Sequence, residues 1–403
     1  MDLIALAIPI FGAFIIIEGW YLKKQSAGIK PAFEEAVANV NVGIAERFFD
    51  ICTTGLFHGL FVWLYENFAL FTITSTWYWW IGLLLLTDLL WYWYHRLGHT
   101  VNIFWAAHVV HHQSDEFNFS VAARITVLQA GFRSIFWSFL PVLGFPPEMV
   151  TTILLVHGAY PFFTHTETIG NLGWLEHILV TPSHHRVHHS SNPCYLDKNY
   201  SDIFIIWDKL FGTFAKEGEK PVYGLTKPLN SHSFLWQHFH YFLEIALAWK
   251  RANNGREKIR ILFGTPAMLD PVNRTILERR LLKRNQQFKA SYFLKRYVVF
   301  QTLVSVLLVF ILAGFHRHFN HLSFWFAGIA LLVSLIISGA ILEKKTWIFH
   351  LEAVRIVILA GWLFFIYNSF LVFLLLIGNC FLLIRFYGTL QEQYERLLFH
   401  KRK

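Results

Sequence analysis

A chain carrying eight apolar stretches, each near the length needed to cross a lipid bilayer, has few folds open to it. A spanning helix needs about 20 mostly apolar residues. The stretches run over residues 3–20, 48–65, 77–94, 134–163, 298–315, 324–342, 347–365 and 371–386. Only 15% of the residues are charged, against about a quarter in soluble domains, while 55% are hydrophobic and 18% aromatic. That excludes a disordered or fibrous chain, which could not keep so many Phe, Trp and Leu residues in water. The pattern predicts an all-α, polytopic membrane protein. Trp77, Trp79 and Trp80 at one end of the third stretch, with Trp91 and Trp93 at the other, resemble interfacial aromatic belts. The fourth stretch is interrupted by Pro141, Pro146 and Pro147. It predicts a helical hairpin that enters and leaves one face.

Charge sets the expected orientation. The net charge of +9 suits a membrane surface better than nucleic acid, because short cytoplasmic loops collect Lys and Arg. Lys23, Lys24 and Lys30 follow the first stretch, which is too hydrophobic throughout, and lacks the basic start, for a cleaved signal peptide. Arg279, Arg280, Lys283, Arg284, Lys289, Lys295 and Arg296 precede the fifth. Glu343, Lys344 and Lys345, and the terminal His400, Lys401, Arg402 and Lys403, fall on the same side, with His95 and His165. The organisation read from this is N-terminal spans over 1–94 and a histidine-rich domain over 95–230 that includes the hairpin. A basic cytoplasmic segment over 231–296 and C-terminal spans over 297–403 follow. Anchoring is the expected role of the last four spans, with Arg355 and Arg385 within them either snorkelling or marking a site. Cys52, Cys194 and Cys380 form no C-x-x-C pair, which argues against a disulfide framework or a thiolate metal site.

Histidine spacing carries the chemistry. Among 21 histidines, His95 and His99 form H-x3-H, His108, His111 and His112 form H-x2-H-H, and His185, His188 and His189 repeat it. Positions three or four apart share a helix face about 5–6 Å apart, so two imidazoles can meet on one ion. Neutral imidazole suits iron, zinc, copper or nickel. One such motif at a membrane boundary is an ordinary hydrogen-bonded pair. Three clusters on one membrane face point to metal, and together they could hold two ions.

With that motif set, the chain resembles the fatty acid hydroxylase and sterol desaturase superfamily of membrane di-iron enzymes. Within it, residues 95–229 are most similar to the alkylglycerol (glyceryl-ether) monooxygenase branch. The residues carrying this are Phe104-Trp105-Ala106-Ala107-His108, Phe163-Thr164-His165-Thr166-Glu167, Thr181 through His189, Asp197-Lys198-Asn199-Tyr200, Trp207 through Phe214 and Tyr223-Gly224-Leu225-Thr226. The resemblance implies a catalytic metal set of His95, His99, His108, His111, His112, His185, His188 and His189, with His165 as a further metal ligand.

Asp88, Glu167 and His184 are candidates to support those ligands, while Asp197 and Asn199 suit helix capping. The implied activity is an O2-dependent lipid monooxygenase, an oxidoreductase of ether-lipid metabolism. It hydroxylates the ether-adjacent carbon of an alkylglycerol, giving a fatty aldehyde and glycerol. No G-x-G-x-x-G, P-loop or haem-attachment motif occurs, so electrons must come from an external reductant or redox partner. Tetrahydrobiopterin is the reductant the resemblance implies. A sterol or fatty acyl hydroxylase or desaturase shares the metal motifs. A metal-ion transporter fits less well, since transport sites lie near the bilayer midplane. The expected location is a bacterial inner membrane or the endoplasmic reticulum, with the site on the cytoplasmic face.

Overall fold

Helix is the repeating backbone structure throughout the computed structural model, which describes residues 3–25, 32–282, 292–345, 347–367 and 369–399. The only β pairings among the described residues are isolated bridges, Leu179 with Phe204 and Ser190 with Tyr223. Of the basic residues used for orientation, Lys30, Lys283, Arg284, Lys289, His400, Lys401, Arg402 and Lys403 lie outside the described residues.

The N-terminal part comprises α1 (Ala7–Gln25), α2 (Phe33–Phe68) and α3 (Trp77–Thr100). The apolar stretch in α2 predicts a span from Phe48, yet the helix begins at Phe33. The added turns are half polar and dock on the histidine-rich region. There the Asn39 amide donates to Ser120 Oγ at 3.0 Å and its carbonyl accepts from the Arg124 guanidinium at 2.9 Å. Next come α4 (Asn102–His108), a 3-10 turn (Val109–His112), α5 (Phe119–Ala122), α6 (Gln129–Trp137), α7 (Phe139–Leu143) and α8 (Pro147–Thr164). The proline-broken stretch is therefore divided among three helices rather than running as one straight helix. The chain turns at Gly144 with φ 110°, a conformation that favours glycine, and Pro147 opens α8.

Beyond it lie α9 (Pro182–His188), α10 (Ile206–Leu210), α11 (Phe234–Arg251), α12 (Gly255–Phe263) and α13 (Val272–Leu281). The C-terminal array is α14 (Tyr292–Phe315), α15 (His321–Leu342), α16 (Ile348–Tyr367), α17 (Phe370–Arg385) and α18 (Tyr387–Phe399). Among the described residues, three helices are long and apolar enough to cross a membrane: Phe33–Phe68, Tyr292–His318 and His321–Leu342. The pair α17 and α18, bent by 78°, reaches that length and hydropathy together. This is a membrane protein.

Helix α2 is the shared spine. Its Phe48 packs with Val309 and Leu312 of α14 and Ala327, Leu331 and Leu335 of α15. Farther along, Phe61 joins Leu83 of α3, Trp137 of α6 and Val150 and Ile153 of α8. One helix therefore ties the C-terminal array to the region that carries the histidines. Glu343, past the end of α15, accepts from the Ser231 hydroxyl and from Ser233 N at 3.0 Å, and Lys295 lies 3.9 Å from Glu34. The charged ends of α14 and α15 thus sit on the side where the histidines gather. Arg355 is not snorkelling: it pairs with Glu352 and reaches Gln301 and Ser334 between helices.

Candidate metal centre

Two compact groups of imidazoles account for all nine histidines nominated as metal ligands from the sequence. One holds His95, His99, His108, His112 and His188, the other His111, His165, His185 and His189, and within each group the ligand atoms lie within 4.8 Å of one another. Neither group contains a carboxylate.

Helix geometry explains how the motifs divide. Residues four apart are offset by about 40° around a helix and residues three apart by about −60°. The i, i+4 pairs His95/His99, His108/His112 and His185/His189 therefore each stay in one group. The middle histidine of each H-x2-H-H motif, His111 or His188, faces the other flank and joins the other group. Each of these two motifs serves both groups, which abut where the rings of His112 and His189 stack at 4.4 Å. His165 joins the second group from the end of α8.

The ring nitrogens are set for a shared ion. His108 Nε2 lies 3.0 Å from His95 Nε2 and 3.1 Å from His112 Nε2. In the second group, His185 Nε2 lies 2.9 Å from His165 Nε2 and 3.1 Å from His189 Nε2, and His165 Nε2 is 3.2 Å from His111 Nε2. Ligands at about 2.0–2.1 Å from one metal and at right angles are about 3 Å apart, so these separations fit. Two further ring atoms of the first group, His99 Nε2 and His188 Nε2, are buried without a hydrogen-bond partner. Buried polar atoms are rarely left so, and a metal in this group would satisfy them. The residues fit an all-imidazole site for iron, zinc, copper or nickel.

The opposite ring nitrogens are held by backbone carbonyls. His95 Nδ1 donates to Tyr200 O at 2.7 Å, His111 Nδ1 to Arg124 O at 3.1 Å, His165 Nδ1 to Pro161 O at 2.6 Å and His188 Nδ1 to Lys198 O at 3.0 Å. This fixes the tautomer that leaves each Nε2 lone pair free for metal. Burial drives the pKa of His108, His111, His112, His185 and His189 well below 6.5, and neighbouring imidazoles add to it. Burial also takes His165 down to about 3 and His188 down to about 4. All seven are neutral at pH 7 and available as ligands.

None of the three sequence-based supporting candidates contacts a ligand ring nitrogen directly. Asp88 touches no histidine of either group; it accepts from Ile203 N, Phe204 N, Trp207 Nε1 and His157 Nε2. Glu167 accepts from the Tyr223 hydroxyl at 3.0 Å. Tyr223 stacks on Phe117, which stacks on His165, so Glu167 lies two rings away from the centre. Together with Arg186 and Glu217, Glu167 and Tyr223 line an open polar cleft of about 500 Å³. His184 completes the capping box at the start of α9, accepting from Thr181 N.

Asp197 and Asn199 cap no helix. Both adopt positive φ, 59° and 55°, and Asn199 bonds His184 O and Ala215 O, which puts the carbonyls of Lys198 and Tyr200 on His188 and His95. The loop is fixed by Asp208, which accepts from Tyr200 N and Ser201 N at 2.8 Å. Arg124, fully buried, donates to Val110 O and Asn39 while its own carbonyl orients His111. Neither Asp208 nor Arg124 belongs to a histidine motif; Asp208 lies in the Trp207–Phe214 run that carries the resemblance, while the only signal for Arg124 is a charged residue inside an apolar neighbourhood.

Residues 80–213 match the fatty acid hydroxylase family. The alkylglycerol monooxygenase of Homo sapiens is 38% identical over 270 residues, 66% of this chain and 60% of that protein. That of Danio rerio is 38% identical over 248 residues, 58% of this chain and 54% of that protein. An ornithine lipid hydroxylase of Rhizobium tropici is 31% identical over 121 residues, covering 30% of this chain and 37% of that protein. The chain thus spans at most about three fifths of these curated relatives. No solved structure matches it. The resemblance drawn from the histidine motifs is borne out.

Proposed function

We propose, for a chain whose residues 80–213 match the fatty acid hydroxylases, that it is a membrane di-iron monooxygenase acting on the ether-adjacent carbon of alkylglycerols. The observation that carries the metal part is the sorting of nine histidines, eight buried and His99 half-buried, into groups of five and four, with neighbouring Nε2 atoms as close as 2.9–3.2 Å. The relatives named alkylglycerol monooxygenase carry the substrate part.

His95, His99, His108, His112 and His188 would hold one iron and His111, His165, His185 and His189 the other. When bound, the iron pair supplies the activation of dioxygen that protein side chains cannot perform. What the protein itself contributes is position and exclusion. The backbone carbonyls of Tyr200, Lys198, Arg124 and Pro161 hold four rings in one tautomer. Burial keeps water from the centre and the imidazoles neutral. The site lies at the ends of α3 and α8, so an alkyl chain rising from the bilayer meets it at the membrane face.

In net terms, the ether-adjacent C–H carbon takes one oxygen atom of O2. Two electrons and two protons reduce the other atom to water. The resulting hemiacetal breaks its carbon–oxygen bond, releasing a fatty aldehyde and glycerol. The electrons come from an external donor, for which tetrahydrobiopterin is our candidate. Basic residues near the histidine side, Lys23 and Lys24 on α1 and Lys295 on α14, support a cytoplasmic site.

Aerobic turnover of a 1-O-alkylglycerol tests this directly, using membranes that contain the protein, with iron and tetrahydrobiopterin supplied and His188→Ala membranes as the blank. Aldehyde that requires both the intact chain and the pterin is the expected result. No aldehyde from iron-loaded protein would overturn the substrate assignment and turn attention to sterols, fatty acyl chains and ornithine lipids.

A further inference from the structure

We propose that Asp88, His157 and Asp202 form a buried ionic clamp that sets the spacing between the two histidine groups. This rests on the metal reading above.

All three side chains are nearly inaccessible. The His157 ring stands between two carboxylates: Nε2 lies 3.0 Å from Asp88 Oδ1 and Nδ1 lies 2.9 Å from Asp202 Oδ2. With an acid oxygen opposite each nitrogen, the ring is held as an imidazolium, and it occupies the place where an ion would otherwise join the two acids. A third metal is therefore not what the trio is built for.

Its value lies in what each member is attached to. Asp88 sits seven residues before His95 on α3, the helix that supplies two ligands of the five-histidine group. His157 sits on α8, eight residues before His165 of the four-histidine group. Asp202 belongs to the loop whose Tyr200 carbonyl orients His95, and Asp88 holds that loop through Ile203 N, Phe204 N and Trp207 Nε1. The clamp thus joins one ligand-bearing element of each group to the loop that aims a ligand. The Trp91 ring spans the remaining gap, 5.5 Å from His157 and 5.9 Å from His95. These are positioning residues, since none touches a ligand nitrogen.

The test uses the full-length, detergent-purified, iron-loaded protein and its His157→Gln and Asp202→Asn variants. Asp202→Asn is nearly isosteric and removes only the charge. Ile153→Ala, a core truncation one turn earlier on α8, controls for plain destabilisation. Iron per chain, the iron–iron distance from X-ray absorption, and kcat and KM for the alkylglycerol are measured on each. The clamp predicts two irons per chain in both variants, a lengthened or smeared iron–iron distance, and kcat lowered about 10–100-fold at unchanged KM. It also predicts that Ile153→Ala keeps the wild-type distance. An unchanged distance in Asp202→Asn, or the same change in Ile153→Ala, would overturn it. Absence of an iron pair in the wild-type protein would overturn the metal reading itself, and that outcome is visible without any variant.

Discussion

Replacing Gly43 by alanine probes how the histidine groups depend on a helix that contributes no ligand. A Cβ built on Gly43 of α2 falls 2.7 Å from both Ala123 Cβ and Ala123 O. Carbon atoms rest about 3.5–4.0 Å apart, so the 123–124 segment must move away by roughly an ångström. One of the two close atoms is a backbone oxygen, which has no rotamer to escape into. Overpacking of this kind costs about 1–3 kcal/mol, while the helix gains up to about 1 kcal/mol from Gly to Ala. The net expectation is a loss of roughly 0–3 kcal/mol. The larger effect falls on metal. The next carbonyl along, Arg124 O, accepts from His111 Nδ1 at 3.1 Å, and that bond does not survive such a displacement. His111 then loses its fixed tautomer, and the four-histidine group binds its ion about 10–100-fold more weakly. Metal analysis of purified protein after mild chelation should find one ion per chain in Gly43→Ala and two in the wild type. Two ions retained with wild-type turnover would refute the link from α2 through Arg124 to His111.

Further expectations follow from the same geometry. Because the five- and four-histidine groups draw on different nitrogens, His95→Ala and His185→Ala should each leave one ion per chain by metal analysis; loss of both ions in either variant would contradict independent sites. Arg124→Met leaves Val110 O and Asn39 Oδ1 without their buried donor; it should cost about 2–4 kcal/mol, read as a lowered unfolding temperature. In metal-free protein, His165 and His188 titrate at about 3 and 4 when folded, against about 6.5 unfolded. Their lowered values mean the unfolded chain takes up protons first, so this stability is whole above about pH 6.5 and is lost as pH falls toward 4. Thermal unfolding between pH 7 and 4 measures it, and a flat profile would count against buried, neutral imidazoles.

Periodicity and spacing read out much of this protein without any coordinates. Long apolar runs leave helices as the answer, because a bilayer offers the backbone no partners. The proline-broken run at 134–163 became α6, α7 and α8 for the reason its prolines give. The i, i+3 and i+4 spacings picked out eight of the nine histidines because a helix places such residues side by side, while His165 came from the resemblance alone. What spacing could not say is which histidines from different motifs come together in one group. The i+3 offset turns His111 and His188 away from their motif partners, and how α3, α4, α8 and α9 meet decides which other histidines each then joins.

The residues that orient those rings were equally out of reach. Asp197 and Asn199 suited helix caps by type, yet they bend the loop that puts the Lys198 and Tyr200 carbonyls on His188 and His95. Asp88, close to His95 in sequence, instead faces His157 and the 203–207 backbone. The start of α2 at Phe33 came from polar docking on Ser120 and Arg124, which hydropathy does not register. Chemistry of the ligand is a local property and shows in the sequence. The carbonyl or carboxylate that aims it comes from a distant segment, and only tertiary packing brings the two together.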